Sequence, residues 1–584
     1  MSANDRVLIN QMIEEWRNAR TVPLSFDAAF ERFASEHALH GFGLSEEEIE
    51  AGIIGGGNDG GIDGAYVFLG GRLLHEDSEI FQSPPSSAAA HVEAGTQLTL
   101  WLVQAKTSQT FSELALDKVA ATCKTLLDME VDEDAAAILF SEDLLARFRL
   151  FRDALKRLAH RHPTMLIKFS YVTRGEASEV HVKVRTKAKL LEAQLTQAFA
   201  ISKGEVEFLG PAELWQRAST LPSYTLELPY RESITHDTSH IALVGLGEYI
   251  DFLSDETGTI KSHIFDWNVR DYQGNVEVNR EITASLQKAD APEFWWLNNG
   301  ITIVCSQATS VGKRLSLSDV QIVNGLQTSY TLHETLRELY AAEPTASVFD
   351  RLVQVRILVT TDQAARDAVI RATNRQTSVP VASLRATDDI QRQIESYFFE
   401  HEWFYDRRKN FYRNQGKPAD RIVSIPLLAQ AVMAMALGQP DHARARPSSL
   451  LKSDTDYRRV FSEKTELPVY LWLARAQRLV DEFLQTAPEP VSRSEHTNLH
   501  FHLAMLGAVD LIGRVFNRPE MLANAAREDV FPTTARLESL WSSLQEQFVL
   551  FQKERQWGPD KTAKSAEFVA HLTEALGYGV LPRR

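Results

Sequence analysis

Three side chains early in the sequence have the types and spacing that breaking a phosphodiester bond asks for. Asp63 stands near the end of a glycine-rich run, GGGNDGGIDG, while Gln104 and Lys106 lie two apart at the end of a later apolar run. Phosphodiester hydrolysis at neutral pH needs a hard cation on the phosphate, an activated water, and positive charge where the transition state gains negative charge. On this reading Asp63 ligates Mg²⁺ or Mn²⁺ and Gln104 offers a side-chain or neighbouring carbonyl oxygen. Lys106 orients or deprotonates water and offsets developing charge. Because Gln is neutral, a second carboxylate is wanted. Glu31 is the choice, since it borders an apolar stripe through Phe30, and Glu36 is the competitor.

These residues need a sheet and a helix to bring them together. Phe26, Phe30 and Phe33 recur at helical spacing behind Ser25, a natural N-cap, and a second, acidic helix is expected around Glu46 to Ile53. Ala65 to Leu69 and Leu98 to Ala105 read as strands, and the intervening QSPPSSAAAHVEAG reads as an insertion. A strand's period of two puts Gln104 and Lys106 on one face, and pairing of the two strands would add Asp63. Gly60, Gly61 and Gly64 would let the backbone turn tightly and leave room for phosphate. Further on, a helix is expected over 111–129, a strand over Ala136 to Phe140, a helix through Phe151, and a strand over Leu166 to Val172. A last strand and helix span Val206 to Ala218, ahead of Pro222. Residues 1–222 therefore read as an α/β unit. Residues 223–440 mix strands and helices, and 441–584 read as mainly helical, with Val469, Leu473, Ala476 and Val480 forming an apolar stripe.

FERF, GGIDGAYVF and LVQAKTS together resemble the Mrr-like branch of the PD-(D/E)xK nucleases. The resemblance implies a restriction-endonuclease-like α/β domain with Glu31, Asp63, Gln104 and Lys106 as its active-site set. Here 41 positions separate Asp63 from Gln104, more than the short hairpin common in that family, and the QSPPSS insertion absorbs the difference.

Other chemistries fit less well. Gly55, Gly57 and Gly60 satisfy G-x-G-x-x-G, but no strand precedes them and no helix follows, and there is no Walker lysine. His496, His500 and His502 have no cysteine nearby and no H-E-x-x-H, so they read as ordinary surface or core residues. Cys123 and Cys305 are the only cysteines, which excludes a disulfide framework. No run is long enough to span a membrane and no secretory signal is apparent, so a cytoplasmic location is expected. A net charge of −16 argues against coating nucleic acid through the overall field, so any DNA contact must be local. One candidate patch holds Arg407, Arg408, Lys409, Arg413, Lys417 and Arg421, interleaved with Tyr405, Phe411 and Tyr412; its plainer reading is a solvated loop face.

The second region is rich in amides: NVRDYQGN, NNGITIV, QIVNGLQTSYTL and ATNRQTSV. Asn299-Gly300 reads as a turn into a strand. Val320 to Val323, Asn324-Gly325 and a helix from about Thr328 read as strand, turn and helix. Turn capping is the plain role for each amide. The alternative is that Asn299, Asn324, Gln327, Asn374 and Gln376 converge on a nucleic-acid or nucleotide ligand. Across roughly Gly245 to Arg421 these motifs resemble the AIPR family, named for abortive-infection phage resistance. The resemblance implies a bacterial defence protein: a mixed α/β AIPR domain follows the nuclease unit, and a mainly helical region follows that. The expected activity is metal-dependent endonucleolytic cleavage of DNA; RNA is equally compatible with the chemistry. A homodimer would supply two cutting centres, and a phage-derived activator the trigger. The alternative function is a non-catalytic sensor that recognises nucleic acid, a nucleotide or a phage protein through the AIPR region.

Overall fold

The structure is a computed structural model that describes residues 2–18, 20, 24–82, 92, 95–219, 225–255, 258–265, 277–287, 292–362, 365, 368–369, 372, 388–407, 410–445, 454–487 and 491–579. The N-terminal unit opens with α1 (Ser2–Asn18), α2 (Phe26–Ala38) and α3 (Glu46–Gly52). Ser25 caps α2 by accepting from the Ala28 amide, and Ser45 and Glu48 form a reciprocal capping box at α3. β1 (Gly64–Leu69), β2 (Arg72–Leu73), β3 (Gln97–Lys106), β4 (Thr164–Thr173) and β5 (Ser202–Leu209) make one sheet in the order β2-β1-β3-β4-β5. β1 runs antiparallel to β2 and β3, whereas β3, β4 and β5 are parallel.

β3 is apolar almost throughout because both faces of the sheet are covered. Leu98, Leu100 and Leu102 pack in one cluster with α4 (Glu113–Leu126), α6 (Glu142–Leu158) and α7 (Val182–Thr196); α5 (Glu133–Leu139) precedes α6. Trp101, Val103 and Ala105 pack on the other side with Ile9 and Ile13 of α1, Phe30 and Phe33 of α2, and Leu214 of α8 (Pro211–Ser219). The strand expected over Ala136 to Phe140 is instead the end of α5. Asp132 caps that helix by accepting from the Asp134 and Ala135 amides, and a short apolar run cannot by itself distinguish strand from helix. α7, which crosses from β4 to β5, has no counterpart in the sequence reading.

The middle region holds β6 (Leu226–Pro229), β7 (Glu232–His236), β8 (Ser239–Gly245), α9 (Leu246–Leu253), α10 (Glu277–Gln287), β9 (Ile301–Cys305), β10 (Gln307–Val311), β11 (Arg314–Ser318), β12 (Gln321–Asn324), α11 (Leu326–Ala342) and β13 (Leu352–Val359). A five-stranded sheet runs β12-β9-β13-β8-β7, parallel only between β13 and β9, beside a three-stranded β10-β11-β6 sheet. Both Asn-Gly turns occur where expected. Gly325 has φ +99°, and a Cβ there would lie 2.5 Å from Ile301 Cδ1, so both its conformation and its neighbours demand glycine.

From Ile390 to Leu572 one buried apolar cluster joins α12 (Asp389–Glu400), α13 (Ile425–Ala431), α14 (Leu467–Thr486), α15 (Arg493–Ile512), α16 (Thr534–Arg555) and α17 (Ala566–Ala575). The boundary placed between 440 and 441 falls inside this core. α13 runs into a π-helical turn, Val432–Ala436, whose side chains are all buried and pack against α15. The chain is thus mixed α/β with a helical C-terminal region, and among the described residues no helix is long and apolar enough to cross a membrane.

Candidate functional site

Asp63 sits one residue before β1 and is held from both sides. Its amide donates to the Val103 carbonyl at 2.8 Å, and its own carbonyl accepts from the Ile54 amide at 2.8 Å. Its carboxylate Oδ2 accepts from the Ala105 amide at 2.8 Å, and Lys106 Nζ lies 3.2 Å from both oxygens. Antiparallel pairing of β1 with β3 brings this about: Gly64 stands opposite Val103, so the next residue outward meets the end of β3. Asp63 is 4% exposed, whereas the Lys106 side chain reaches solvent. Burial pushes the Asp63 carboxyl up, against the pull of Lys106 and the Ala105 N–H. For Lys106, burial works downward, but the charge and hydrogen bond of Asp63 together with the charges of Asp59 and Glu31 leave the amine above its ordinary value. Lys106 is therefore an ammonium here, suited to offsetting charge and orienting water. Taking a proton would first require Asp63 to be engaged elsewhere.

Gln104 points the same way as Lys106 and is buried. Its Oε1 has no hydrogen-bond partner, and a Cβ on Gly61 would come within 3.4 Å of Nε2. An orphaned buried carbonyl oxygen two residues from Lys106 on the same strand face fits a hard cation. Glu31 comes from the opposite layer, on α2. Its carboxyl is pushed up to about 7, first by burial and then by the Asp63 charge, so it lies within the field of the site. Glu36 does not join them: it pairs with Arg413, and against the upward push of burial the charge and hydrogen bond of Arg413, with the nearby His37 and His40, hold its carboxyl low. Asp63, Glu31 and the Gln104 oxygen are the groups that would hold a divalent ion. Among the described residues no group of three or more His, Cys, Asp or Glu side chains is arranged for a metal, so the donor set depends on the amide oxygen.

Two neighbours escaped the sequence reading. Asp59 Oδ1 accepts from Lys118 Nζ at 2.9 Å and from the Gly61 amide at 2.6 Å, so the pair closes the glycine loop over Gln104. The repeated Asp of NDGGID was a signal for Asp59. Lys118, on α4, had none.

The other candidates fare differently. Arg407 is buried and donates to Glu395 at 2.7 Å, Tyr405 is fully buried, and Arg413 is taken by Glu36. Arg408 and Lys409 lie outside the described residues. Within the candidate DNA-contact patch, acids distant in sequence thus hold Arg407 and Arg413 in structural ion pairs. Asn299 is exposed, and its carbonyl accepts from Arg356. The preceding Asn298 shapes the turn, accepting from the Gly300 amide at 2.9 Å. Asn324 ends β12 and Gln327 lies in the first turn of α11, on either side of Gly325; Asn374 and Gln376 lie outside the described residues. His500 and His502 belong to α15, and burial lowers the pKa of both.

Fold and site thus define an α/β unit carrying an Asp–Gln–Lys cluster, joined to a mixed α/β and helical region. Within that second region, the family model described as AIPR protein matches residues 265–544, just under half of the chain and well into the helical core. No curated protein matches the chain, and no solved structure matches it.

Proposed function

We propose that this chain is a divalent-metal-dependent endonuclease of phage defence, with its cutting centre at Glu31, Asp63, Gln104 and Lys106. The AIPR domain supports the defence setting through the family's link to abortive infection. The observation that carries the enzymatic reading is the buried Asp63 carboxylate beside Lys106 and the unpartnered Gln104 oxygen. Bound there, Mg²⁺ or Mn²⁺ would polarise the phosphodiester and favour hydroxide over water. Asp63 would exchange Lys106 for the cation. Lys106 would then be free to hold the attacking water and meet charge developing on phosphorus-bound oxygens. Lys118, released from Asp59, would bind a neighbouring phosphate. DNA is the favoured substrate, and RNA offers the same bond.

A non-catalytic sensor is the second reading, favoured by the shortage of carboxylates at the centre and by the net charge of −16. Incubating supercoiled plasmid and phage DNA with wild type, Asp63→Ala and Lys106→Ala in Mg²⁺ or Mn²⁺ separates the two. Nicking or linearisation by wild type, lost in both variants, supports the nuclease. Cutting retained by folded Lys106→Ala sinks the assignment.

A further inference from the structure

The N-terminal unit and the helical region meet through ion pairs in which the former supplies acids and the latter bases, as in Glu36 with Arg413 and Glu76 with Lys564. One of these bases reaches the site's own scaffold. Arg493 is the first residue of α15, held there by the Ser492 capping box, and it projects across the junction. Its guanidinium donates to the Glu50 main-chain carbonyl and lies 3.3 Å from the Glu50 carboxylate and 3.6 Å from Asp143. Its Cδ sits 3.0 Å from where a Gly55 Cβ would stand, so its stem covers the start of the loop that runs to Asp63. Glu50 in turn accepts a two-pronged bond from Arg32 on α2, at 2.7 and 2.8 Å, and Arg32 is the immediate neighbour of Glu31. One guanidinium from the helical region therefore fixes the end of α3, the root of the Asp63 loop and, through Glu50 and Arg32, the helix that bears Glu31.

We propose that Arg493 is a positioning residue through which the AIPR domain sets the geometry of the N-terminal site. This rests on the nuclease reading for its catalytic consequence, but the positioning itself does not. The planar fork is what the contact uses: two separate nitrogens meet a carboxylate and a carbonyl of one residue at once, in a fixed spacing that the single nitrogen of a lysine does not reproduce. Once the guanidinium is removed, Glu50 keeps Arg32 but loses its hold on the helical region, and the loop from Ile53 to Asp63 keeps its bonds within the N-terminal unit, such as Thr122 Oγ1 to the Gly60 carbonyl and Lys118 to Asp59. Those also include the Ile54 amide to the Asp63 carbonyl and the Ile62 amide to the Asp59 carbonyl.

The test uses the full chain as wild type, Arg493→Met, Arg493→Lys and Glu50→Gln. Hydrogen exchange of the amides from Ile53 to Asp63 should quicken in Arg493→Met while β4 stays protected, showing that the unit remains folded. Mn²⁺ affinity, read by calorimetry, and cleavage should each fall about ten- to hundredfold, as when an outer support of a metal ligand is lost. Arg493→Lys should recover only part of either. Unchanged exchange and unchanged Mn²⁺ affinity in folded Arg493→Met would overturn the proposal. Should Arg493→Met not fold, Glu50→Gln, which keeps the shape and removes the charge, must show the same loop exchange or the proposal falls. If wild type cuts nothing and binds no Mn²⁺, the nuclease reading fails, while the exchange data still decide whether Arg493 positions the loop.

Discussion

Glu31 provides a quantitative handle on the site that does not need catalysis. Burial and the Asp63 charge raise its carboxyl from 4.5 to about 7 in the folded, metal-free protein. The folded state thus keeps a proton that the unfolded chain gives up, so stability falls as pH rises from about 4.5 to about 7 and the whole penalty is carried above that. At about 1.4 kcal/mol per unit the shift corresponds to about 3 kcal/mol, and partial solvent access reduces this to ~1–2 kcal/mol. Glu31→Gln cannot ionise and escapes the loss. Calorimetric melting in EDTA should show the variant gaining on wild type by a few degrees between about pH 5 and about pH 8. Saturating Mn²⁺ should reverse the order at the higher pH, because the cation stabilises the ionised carboxylate and the wild type binds it more tightly. A gap between the two proteins that stays constant across this window would refute the placement of Glu31 in the field of Asp63.

Gly60 has φ +62°, and a Cβ there would stand 2.6 Å from Thr122 Oγ1, so Gly60→Ala should destabilise the N-terminal unit by about 1–3 kcal/mol in thermal melts. Gly56→Ala, at φ +80° with nothing within 4 Å, should cost only the left-handed strain, about 1 kcal/mol in the same assay. Glu395→Ala leaves buried Arg407 without its 2.7 Å partner, and a loss of about 3–5 kcal/mol is expected in chemical denaturation. A phosphate-contact role for Arg407 predicts instead that Glu395→Ala is nearly neutral. Lys118→Ala should weaken substrate binding with little change in the rate at saturation, and the salt dependence of DNA binding should flatten by about one phosphate contact.

Much of the site was legible because its parts obey local rules. The period of two in LVQAK placed Gln104 and Lys106 on one face, Ser25 and the phenylalanines marked α2, and the glycines around Asp63 marked a turn. Density of amides at NNGITI and IVNGLQT announced the similarity to the AIPR family, although not that the match extends to residue 544, because the helical core from Ile390 onward carries only generic apolar stripes. The stretch around Ala136 was misread because a few apolar residues suit a strand and a helix alike, until the Asp132 cap decides between them.

Charge pairing was what the sequence could not yield. Arg413 and Arg407 read as a surface patch because their partners, Glu36 and Glu395, lie elsewhere in the chain, and Coulomb attraction depends on distance in space. The same holds for the choice between Glu31 and Glu36. Both stand on α2, and only the packing of that helix beneath β3 and against the helical region turns one toward Asp63 and gives the other to an arginine. Sequence thus determined which chemical groups and which local elements exist. Tertiary structure decided which charges are neutralised and which remain available, because burial and neighbours, more than residue type, set the free energy of a charge.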